Sequence, residues 1–325
     1  MPYFDWPLEQ LQTYTPPRNE PADFDAFWQN TLATTRTYPL NATFTPVDSG
    51  LRLVETYDVT FAGYNGQPIK GWYIRPANTP KQLPCVVEFI GYNGGRNFSF
   101  DWLLWANAGY AHLVMDTRGQ GSGWMEGATQ DHPEAVDPHI AGFMTMGILN
   151  PETYYYRRVF SDAARAVETA MSREDVDATR IAVMGGSQGG GISIAAAALS
   201  PQVSICMSDV PFLCHFRRAV GLTASYPYKE ISDYLRIHRT REAHVMNTLD
   251  YFDGVNFAAR IHAKSLFSVG LMDEVCPPST IFAAYNQLQG EKEIHVYNHN
   301  GHEGGGALHT VEKLRFLRSA WGETL

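Results

Sequence analysis

The sequence predicts an α/β fold with a doubly wound, mostly parallel sheet, and three observations predict it. Apolar runs of strand length alternate with segments of helical periodicity along most of the 325 residues, as in sheets whose strands are joined by helical crossovers. Several runs are continuously apolar, which is typical of strands buried on both faces. One of them, residues 181–184, passes through a glycine-rich turn at 185–191 directly into a helical segment.

The first part of the chain precedes this alternation. Residues 1–45 carry proline pairs and aromatic side chains and are expected to form an N-terminal extension, with a helix near 22–34. Alternation over 54–61 predicts a half-buried strand. An Asn-Gly turn then predicts that a partner strand at 69–75 pairs with it as an antiparallel hairpin.

The remaining elements belong to the parallel sheet and to one insertion. Buried strands are expected at 84–90, 110–115, 181–184, 203–207, 265–269 and 293–297. Helices are expected at 102–107, 153–172, 192–199, 278–288 and 309–321. Residues 211–256 interrupt the alternation with aromatic and Arg-rich helical sequence. We interpret them as a cap inserted into a single domain that spans 1–325.

The composition limits the possible partners. A net charge of −9 without a basic stripe argues against nucleic acid, and no apolar stretch is long enough to cross a membrane. The chain starts without a basic segment followed by an apolar run, so we expect no signal peptide. The four cysteines lack the spacing of a metal site. These features favour a reduced, cytoplasmic protein without a metal or cofactor.

Ser187 lies at the apex of a Gly-x-Ser-x-Gly turn and is predicted to be a catalytic nucleophile. In a nucleophile elbow, the strained turn raises the serine hydroxyl above the end of a parallel sheet, and the next helix points its N–H groups and positive dipole end at it. A flexible loop between two core elements is the alternative. The Lys-Ser/Thr ending of a phosphate-binding loop is absent, and the glycine spacing fits a dinucleotide fingerprint poorly.

A serine hydroxyl needs a base, and the base needs a carboxylate that fixes its tautomer. The acid is expected after the next-but-one strand, where Asp273 lies, and the histidine after the last strand, where His302 lies. His299 is the other histidine of that last loop. Asp209 is the reserve candidate for the acid, and Asp253 is interpreted as a surface turn within the cap.

Two main-chain N–H groups are the expected oxyanion donors. Gln188 directly follows the serine, and Tyr92 lies in the loop after the buried strand at 84–90. Tyr92, together with Phe212 and Pro227 of the cap, is also expected to line a pocket that is small on the acyl side.

With these residues placed, the chain resembles the acetyl xylan esterase and cephalosporin C deacetylase family, carbohydrate esterase family seven. The three signatures of that family are present at Arg118-Gly119-Gln120, at 185–189 and at His302-Glu303. Three further stretches also look like family segments, namely 154–157, 251–253 and 277–280.

The resemblance implies an α/β-hydrolase fold and a serine carboxylesterase that removes O-acetyl groups from small substrates, such as acetylated xylo-oligosaccharides and cephalosporin C, through an acetyl-enzyme. It implies Ser187, Asp273 and His302 as the triad, with the main chain of Tyr92 and Gln188 as the oxyanion hole. It also implies a cytoplasmic homohexamer, a trimer of dimers. The Arg-Gly-Gln segment is a family marker thought to be structural, and its arginine could brace neighbouring loops by an ion pair.

Two other functions remain open from the sequence. A serine peptidase or esterase of the prolyl-oligopeptidase type shares the elbow and the order of the triad, and would act on other acyl substrates. A non-catalytic binding protein on a hydrolase fold is the second alternative, although intact serine, acid and histidine positions argue against it.

Overall fold

The structure, a computed structural model, describes residues 3–79, 81–131 and 137–322. A nine-stranded sheet forms the centre of this part of the chain. The strands are β1 Thr43–Val47, β2 Val54–Ala62, β3 Pro68–Pro76, β4 Leu83–Phe89, β5 Ala111–Met115, β6 Val176–Gly186, β7 Ile205–Asp209, β8 Lys264–Gly270 and β9 Lys292–Tyr297. Their spatial order is β1-β2-β3-β5-β4-β6-β7-β8-β9.

The pairing of the strands confirms the predicted α/β class with a mostly parallel sheet. Strands β4 to β9 pair in parallel, whereas β1, β2 and β3 are antiparallel to their neighbours. The predicted hairpin is present as β2 and β3. Sequence analysis missed the edge strand β1, because its side chains are exposed or half-buried and carry neither an apolar run nor a clean alternation.

The helices occupy the predicted places with small changes of boundary. They are α1 Leu8–Thr13, α2 Phe24–Arg36, α3 Leu104–Asn107, α4 Tyr155–Met171, α5 Gln188–Leu199, α6 Phe216–Leu222, α7 Tyr228–Ile237, α8 Glu242–Leu249, α9 Gly254–Ala258, α10 Pro278–Tyr285 and α11 Gly306–Ala320. The N-terminal extension carries α1, which was not predicted, and α2, which was. Helices α6 to α9 make up most of the predicted cap. None of the helices in the described residues combines the length and apolar character that crossing a bilayer requires.

The core lies on both faces of the sheet. Successive residues of a strand point to opposite faces, so Val183 of β6 packs in the larger cluster with α4, α5 and α10. Its neighbours Ala182 and Met184 pack with Phe316 and Leu317 of α11 in a second cluster. Strand β6 is therefore buried on both sides, which explains its continuous apolar sequence.

The carboxyl ends of the parallel strands meet at one edge of the sheet. At this edge Gly186 of β6 pairs with Asp209 of β7, and Gly270 of β8 pairs with Tyr297 of β9. The loops that follow β4, β6, β7, β8 and β9 consequently emerge side by side. Open α/β sheets bind their ligands at such an edge, and every residue predicted for the triad and the oxyanion hole lies in or beside one of these loops.

Candidate active site

Ser187 forms a strained turn between β6 and α5. Its backbone has φ 56° and ψ −117°, a positive φ that is uncommon for a residue with a side chain. The turn is held because the Ser187 N–H donates to the Asp209 carbonyl at 2.9 Å, and the Ser187 carbonyl accepts from Phe212 at 2.9 Å. A Cβ at Gly189 would lie 2.1 Å from the Phe89 carbonyl oxygen, so the close helix–strand crossing requires glycine there.

Asp273 and His302 meet at the same edge. His302 Nδ1 lies 2.8 Å from Asp273 Oδ2, and the other carboxylate oxygen accepts from the N–H groups of Val275 at 2.8 Å and Cys276 at 2.9 Å. A carboxylate can only accept hydrogen bonds, so the imidazole Nδ1 donates and Nε2 is left as an acceptor. Asp273 is fully buried, whereas His302 borders the cavity that Ser187 also lines.

The reserve acid, Asp209, is occupied by other partners. One of its oxygens lies 3.0 Å from His309 Nε2, and the other accepts from Lys313. Burial raises the pKa of Asp209, but attraction to Lys313 and hydrogen bonding with His309 outweigh it and lower that pKa to about 2. His299 is exposed on the surface of the last loop. The structure therefore pairs His302, rather than His299, with an acid, and this acid is Asp273.

The interpretation of Asp253 as a surface turn was wrong. Asp253 is only 7% exposed and caps the N-terminus of α9 by accepting from the Val255 N–H at 2.9 Å. It also accepts from the N–H groups of His215 at 2.7 Å and Phe216 at 2.9 Å. Burial raises the pKa of this carboxyl to about 6. The Asp-Gly pair marks a helix cap in the interior rather than an exposed turn, and only the packing of the cap decides between the two.

The two expected oxyanion donors come from neighbouring loops. Gln188 is the first residue of α5, and Tyr92 lines the cavity. Among the described residues, neither of their main-chain N–H groups has a protein acceptor. Free N–H groups at a helix start and in an adjacent loop are the donors that a developing negative charge needs.

Gln120, which sequence analysis did not assign to the site, joins these two loops. Its side-chain oxygen accepts from the Asn93 N–H at 2.7 Å, and its amide nitrogen donates to the Gln188 side chain at 2.8 Å. The Gln188 side chain in turn donates to the Ile90 carbonyl at 3.1 Å. The signal that could have found Gln120 was its place in the Arg-Gly-Gln signature.

Arg118 of the same signature forms a buried ion pair. It is 1% exposed and holds Asp162 of α4 through Nε at 2.5 Å and through a second guanidinium nitrogen at 2.7 Å. A further nitrogen donates to the Asp131 carbonyl at 3.1 Å. The ion pair that the sequence suggested is therefore present, and it ties the loop after β5 to α4.

Glu230 is a second residue that sequence analysis missed. It reaches the cavity from α7, and Tyr92 donates its phenol O–H to it at 2.7 Å. The phenol oxygen accepts from the Phe143 N–H at 3.0 Å, and Glu230 accepts from the Met144 N–H at 3.1 Å. Burial raises the pKa of Glu230, and its hydrogen bonds oppose that shift. No motif marks this glutamate, because its role depends on how the cap folds back.

The cavity has a volume of about 850 Å³. Ser187, His302, Tyr92 and Pro227 all line it. Phe212, the third predicted substrate contact, does not: it is fully buried, with its ring centroid 6.2 Å from that of Tyr92. Phe212 therefore packs one layer behind the cavity wall.

The chain is similar to acetyl xylan esterases along its whole length. A family model described as acetyl xylan esterase (AXE1) matches residues 1–320. The structure superposes on an acetyl xylan esterase from Paenibacillus sp. R4 with a TM-score of 0.90 and 45% identity, covering 97% of this chain and 99% of the other. An acetyl xylan esterase from Thermoanaerobacterium sp. JW/SL YS485 gives a TM-score of 0.89 and 36% identity, covering 98% and 100%.

A curated relative is more distant. The acetyl esterase Axe7A of Xylanibacter ruminicola is 28% identical over 298 residues, which cover 90% of this chain and 65% of the relative. The matches to the family and to its solved structures confirm the resemblance drawn from the three signatures. The chain therefore belongs to the acetyl xylan esterase family, a family of carboxylic ester hydrolases.

Proposed function

We propose that this protein is a serine carboxylesterase that removes O-acetyl groups from small substrates, such as acetylated xylo-oligosaccharides and cephalosporin C. The observation that carries the proposal is the buried Asp273 bound to His302 on a cavity that Ser187 also lines. The names of the related acetyl xylan esterases support acetylated sugars as the substrate class.

In the proposed first half-reaction, His302 Nε2 takes the proton of the Ser187 hydroxyl as the oxygen attacks the acetyl carbonyl carbon. The carbonyl oxygen becomes an oxyanion, and the N–H groups of Tyr92 and Gln188 stabilise it. His302 then gives its proton to the sugar oxygen, the carbon–oxygen bond breaks, and the alcohol leaves. Asp273 keeps the imidazole in the required tautomer and stabilises its protonated form.

In the second half-reaction, water takes the place of the sugar. His302 removes a proton from the water, which attacks the acetyl-enzyme, and the same two N–H groups stabilise the second oxyanion. Collapse of this intermediate releases acetate and returns the proton to Ser187. Because Tyr92 and Pro227 border the acyl side of the cavity in this proposal, acetate esters should be turned over faster than propionate and butyrate esters.

The first test is the hydrolysis of p-nitrophenyl acetate by Ser187→Ala and His302→Gln. We expect kcat to fall about 10⁴- to 10⁶-fold in both variants, because the triad acts as a unit. His299→Gln is the matched control, since it changes the other histidine of the same loop and should keep wild-type activity. Retention of activity by His302→Gln, or its loss in His299→Gln, would contradict the assignment.

The alternative of a prolyl-oligopeptidase type of enzyme predicts a different substrate profile. Such an enzyme would cleave proline-containing peptide amides and leave acetate esters untouched. The esterase proposed here should hydrolyse acetate esters and leave proline-containing peptide amides intact. Both substrates are therefore assayed with the same preparation. Labelling by a fluorophosphonate probe, absent in Ser187→Ala, separates either enzyme from a non-catalytic protein.

We also propose that the protein acts in the cytoplasm as a homohexamer built as a trimer of dimers. Support for a reducing compartment comes from its four cysteines, each of which is buried and unpaired. Light scattering tests the assembly, and we expect six times the chain mass of 36.3 kDa. A single-chain mass at micromolar concentration would refute the hexamer, and recovery of the protein outside the cytoplasm on cell fractionation would refute the location.

A further inference from the structure

Cys276 lies beside the Asp273–His302 pair, and the proposed ester chemistry does not use it. Its N–H donates to Asp273 Oδ1 at 2.9 Å, so the loop after β8 folds the cysteine back over the carboxylate. The thiol is fully buried and lies next to the Ser187 hydroxyl. A soft sulfur ligand is thereby placed against an imidazole and a carboxylate.

The spacing of these three groups suits a metal ion. One ligand atom from each of Asp273, Cys276 and His302 lies within 4.8 Å of the other two, and no other group of three His, Cys, Asp or Glu residues with this property was found in the described ranges. Zinc binds sulfur, nitrogen and oxygen at about 2.0–2.3 Å, so tetrahedral ligand atoms lie about 3.3–3.8 Å apart. Shifts of about 1 Å in the two loops would therefore complete the site.

The chemical types of the three ligand atoms favour a thiophilic ion, and His302 offers it a way in from the cavity. Thiolate and imidazole ligands select zinc-like ions, whereas magnesium prefers oxygen ligands. The imidazole of His302 is 32% exposed and borders the cavity. From the cavity an ion therefore meets His302 first. Asp273 and Cys276 do not line the cavity and are fully buried, so the loops that carry them must shift to admit the ion. The buried carboxylate gains a counter-charge, which lowers the cost of its burial.

We propose that Asp273, Cys276 and His302 form an inhibitory site for a thiophilic divalent cation such as Zn²⁺ or Cd²⁺. On binding, the Cys276 thiol releases its proton to solvent, and the imidazole keeps its one proton on the nitrogen that does not bind the ion. The sulfur, the other imidazole nitrogen and one carboxylate oxygen each donate a lone pair to the ion. The bound ion breaks the hydrogen bond between His302 and Asp273, and His302 can no longer accept the proton of Ser187. Ester hydrolysis then stops, and this inhibition, unlike the binding itself, rests on the proposed function.

Direct binding is tested first on metal-free wild-type protein. Titration with Cd²⁺ should produce a thiolate-to-metal charge-transfer band in the ultraviolet that saturates at one ion per chain. Cys276→Ala should abolish the band. Cys206→Ala, which removes another fully buried cysteine, should keep it. A wild-type protein without the band, or a Cys276→Ala protein that retains it, would overturn the site, and the wild-type measurement stands even where a variant fails to fold.

Inhibition is tested by hydrolysis of p-nitrophenyl acetate with Zn²⁺ alone as the probe and Mg²⁺ as the hard-ion comparison. Zn²⁺ should inhibit reversibly, with activity restored by a chelator. With each protein compared with its own metal-free rate, Cys276→Ala should raise the Zn²⁺ concentration for half-inhibition by about tenfold or more, since one of three ligands is lost. Equal Zn²⁺ inhibition of wild type and Cys276→Ala would overturn the proposal.

The two experiments separate the proposal from the function on which it rests. A charge-transfer band that depends on Cys276, together with unchanged hydrolysis in the metal-bound protein, would support the site and contradict His302 as the base. Loss of hydrolysis in His302→Gln without any band in the wild type would support the esterase and overturn the metal site.

Discussion

At the scale of single residues, Tyr92 is held at both of its ends. Its main chain lies at the cavity, and its phenol is fixed by Glu230 at 2.7 Å and by the Phe143 N–H at 3.0 Å. The loop after β4 is therefore anchored to the cap helix α7 and to the turn around Phe143. An N–H group serves as an oxyanion donor only when its direction is set before the reaction, so we infer that Glu230 is a positioning residue for the Tyr92 peptide.

We predict that Tyr92→Phe lowers kcat for p-nitrophenyl acetate by roughly tenfold with little change in KM, because the loss of its hydrogen bonds frees the peptide that we propose to bind the transition state. Tyr251→Phe is the matched control, since its phenol donates to Asp23 at 2.6 Å on the surface. Steady-state kinetics give kcat and KM of both variants with p-nitrophenyl acetate. Equal kcat values in the two variants would show that the phenol does not position the donor.

At the scale of elements, a buried ion pair joins the loop after β5 to α4. Arg118 holds Asp162 through two nitrogens, and both side chains are almost completely buried. Asp162 also accepts from the Tyr64 N–H at 2.8 Å, so the pair reaches the β2–β3 turn as well. Three separate segments therefore depend on one guanidinium group.

We predict that Arg118→Met lowers the free energy of unfolding by about 3–5 kcal/mol, because it leaves the Asp162 carboxylate buried without its counter-charge. Arg36→Met breaks an ion pair of similar length, 2.8 Å to Glu168, but Arg36 is 48% exposed. We therefore expect it to cost about 0–1 kcal/mol. Urea unfolding of both variants measures the difference. Similar losses of unfolding free energy would show that burial does not make the Arg118–Asp162 pair more important for stability than an exposed pair.

At the scale of the whole molecule, Asp209 links the sheet to the C-terminal helix. It ends β7 and binds His309 and Lys313 of α11, whose Phe316 and Leu317 cover one face of the sheet. Attraction to these partners lowers its pKa to about 2 against the opposing effect of burial. Because the folded pKa lies below that of the unfolded chain, the ionised group stabilises the fold above about pH 4.

We predict that this contribution, about 2 kcal/mol, disappears as the pH falls through about 2, the pKa of folded Asp209. Asp209→Asn should lose at least this amount at pH 7, because it also leaves the buried Lys313 ammonium without its counter-charge, and should show a weaker decline of stability between about pH 4 and 2. Asp233→Asn changes an aspartate of the cap with a partly exposed side chain and serves as the control. Unfolding free energies measured across this pH range would contradict the prediction if Asp209→Asn followed the wild-type curve.

Residue patterns along the chain were enough to predict the fold class and the loops that meet at the candidate site. Continuous apolar runs identify the buried strands, and chain order on a parallel sheet decides which loops emerge together, so Ser187, Asp273 and His302 could be chosen before any coordinates. The contacts of Glu230 and Gln120, the position of Phe212 behind the cavity wall and the burial of Asp253 became visible in the folded chain alone. Tyr92 and Glu230 are 138 residues apart, and Gln120 and Gln188 are 68 apart. Local periodicity cannot report such pairs, because they depend on how the cap and the loops pack on the finished sheet.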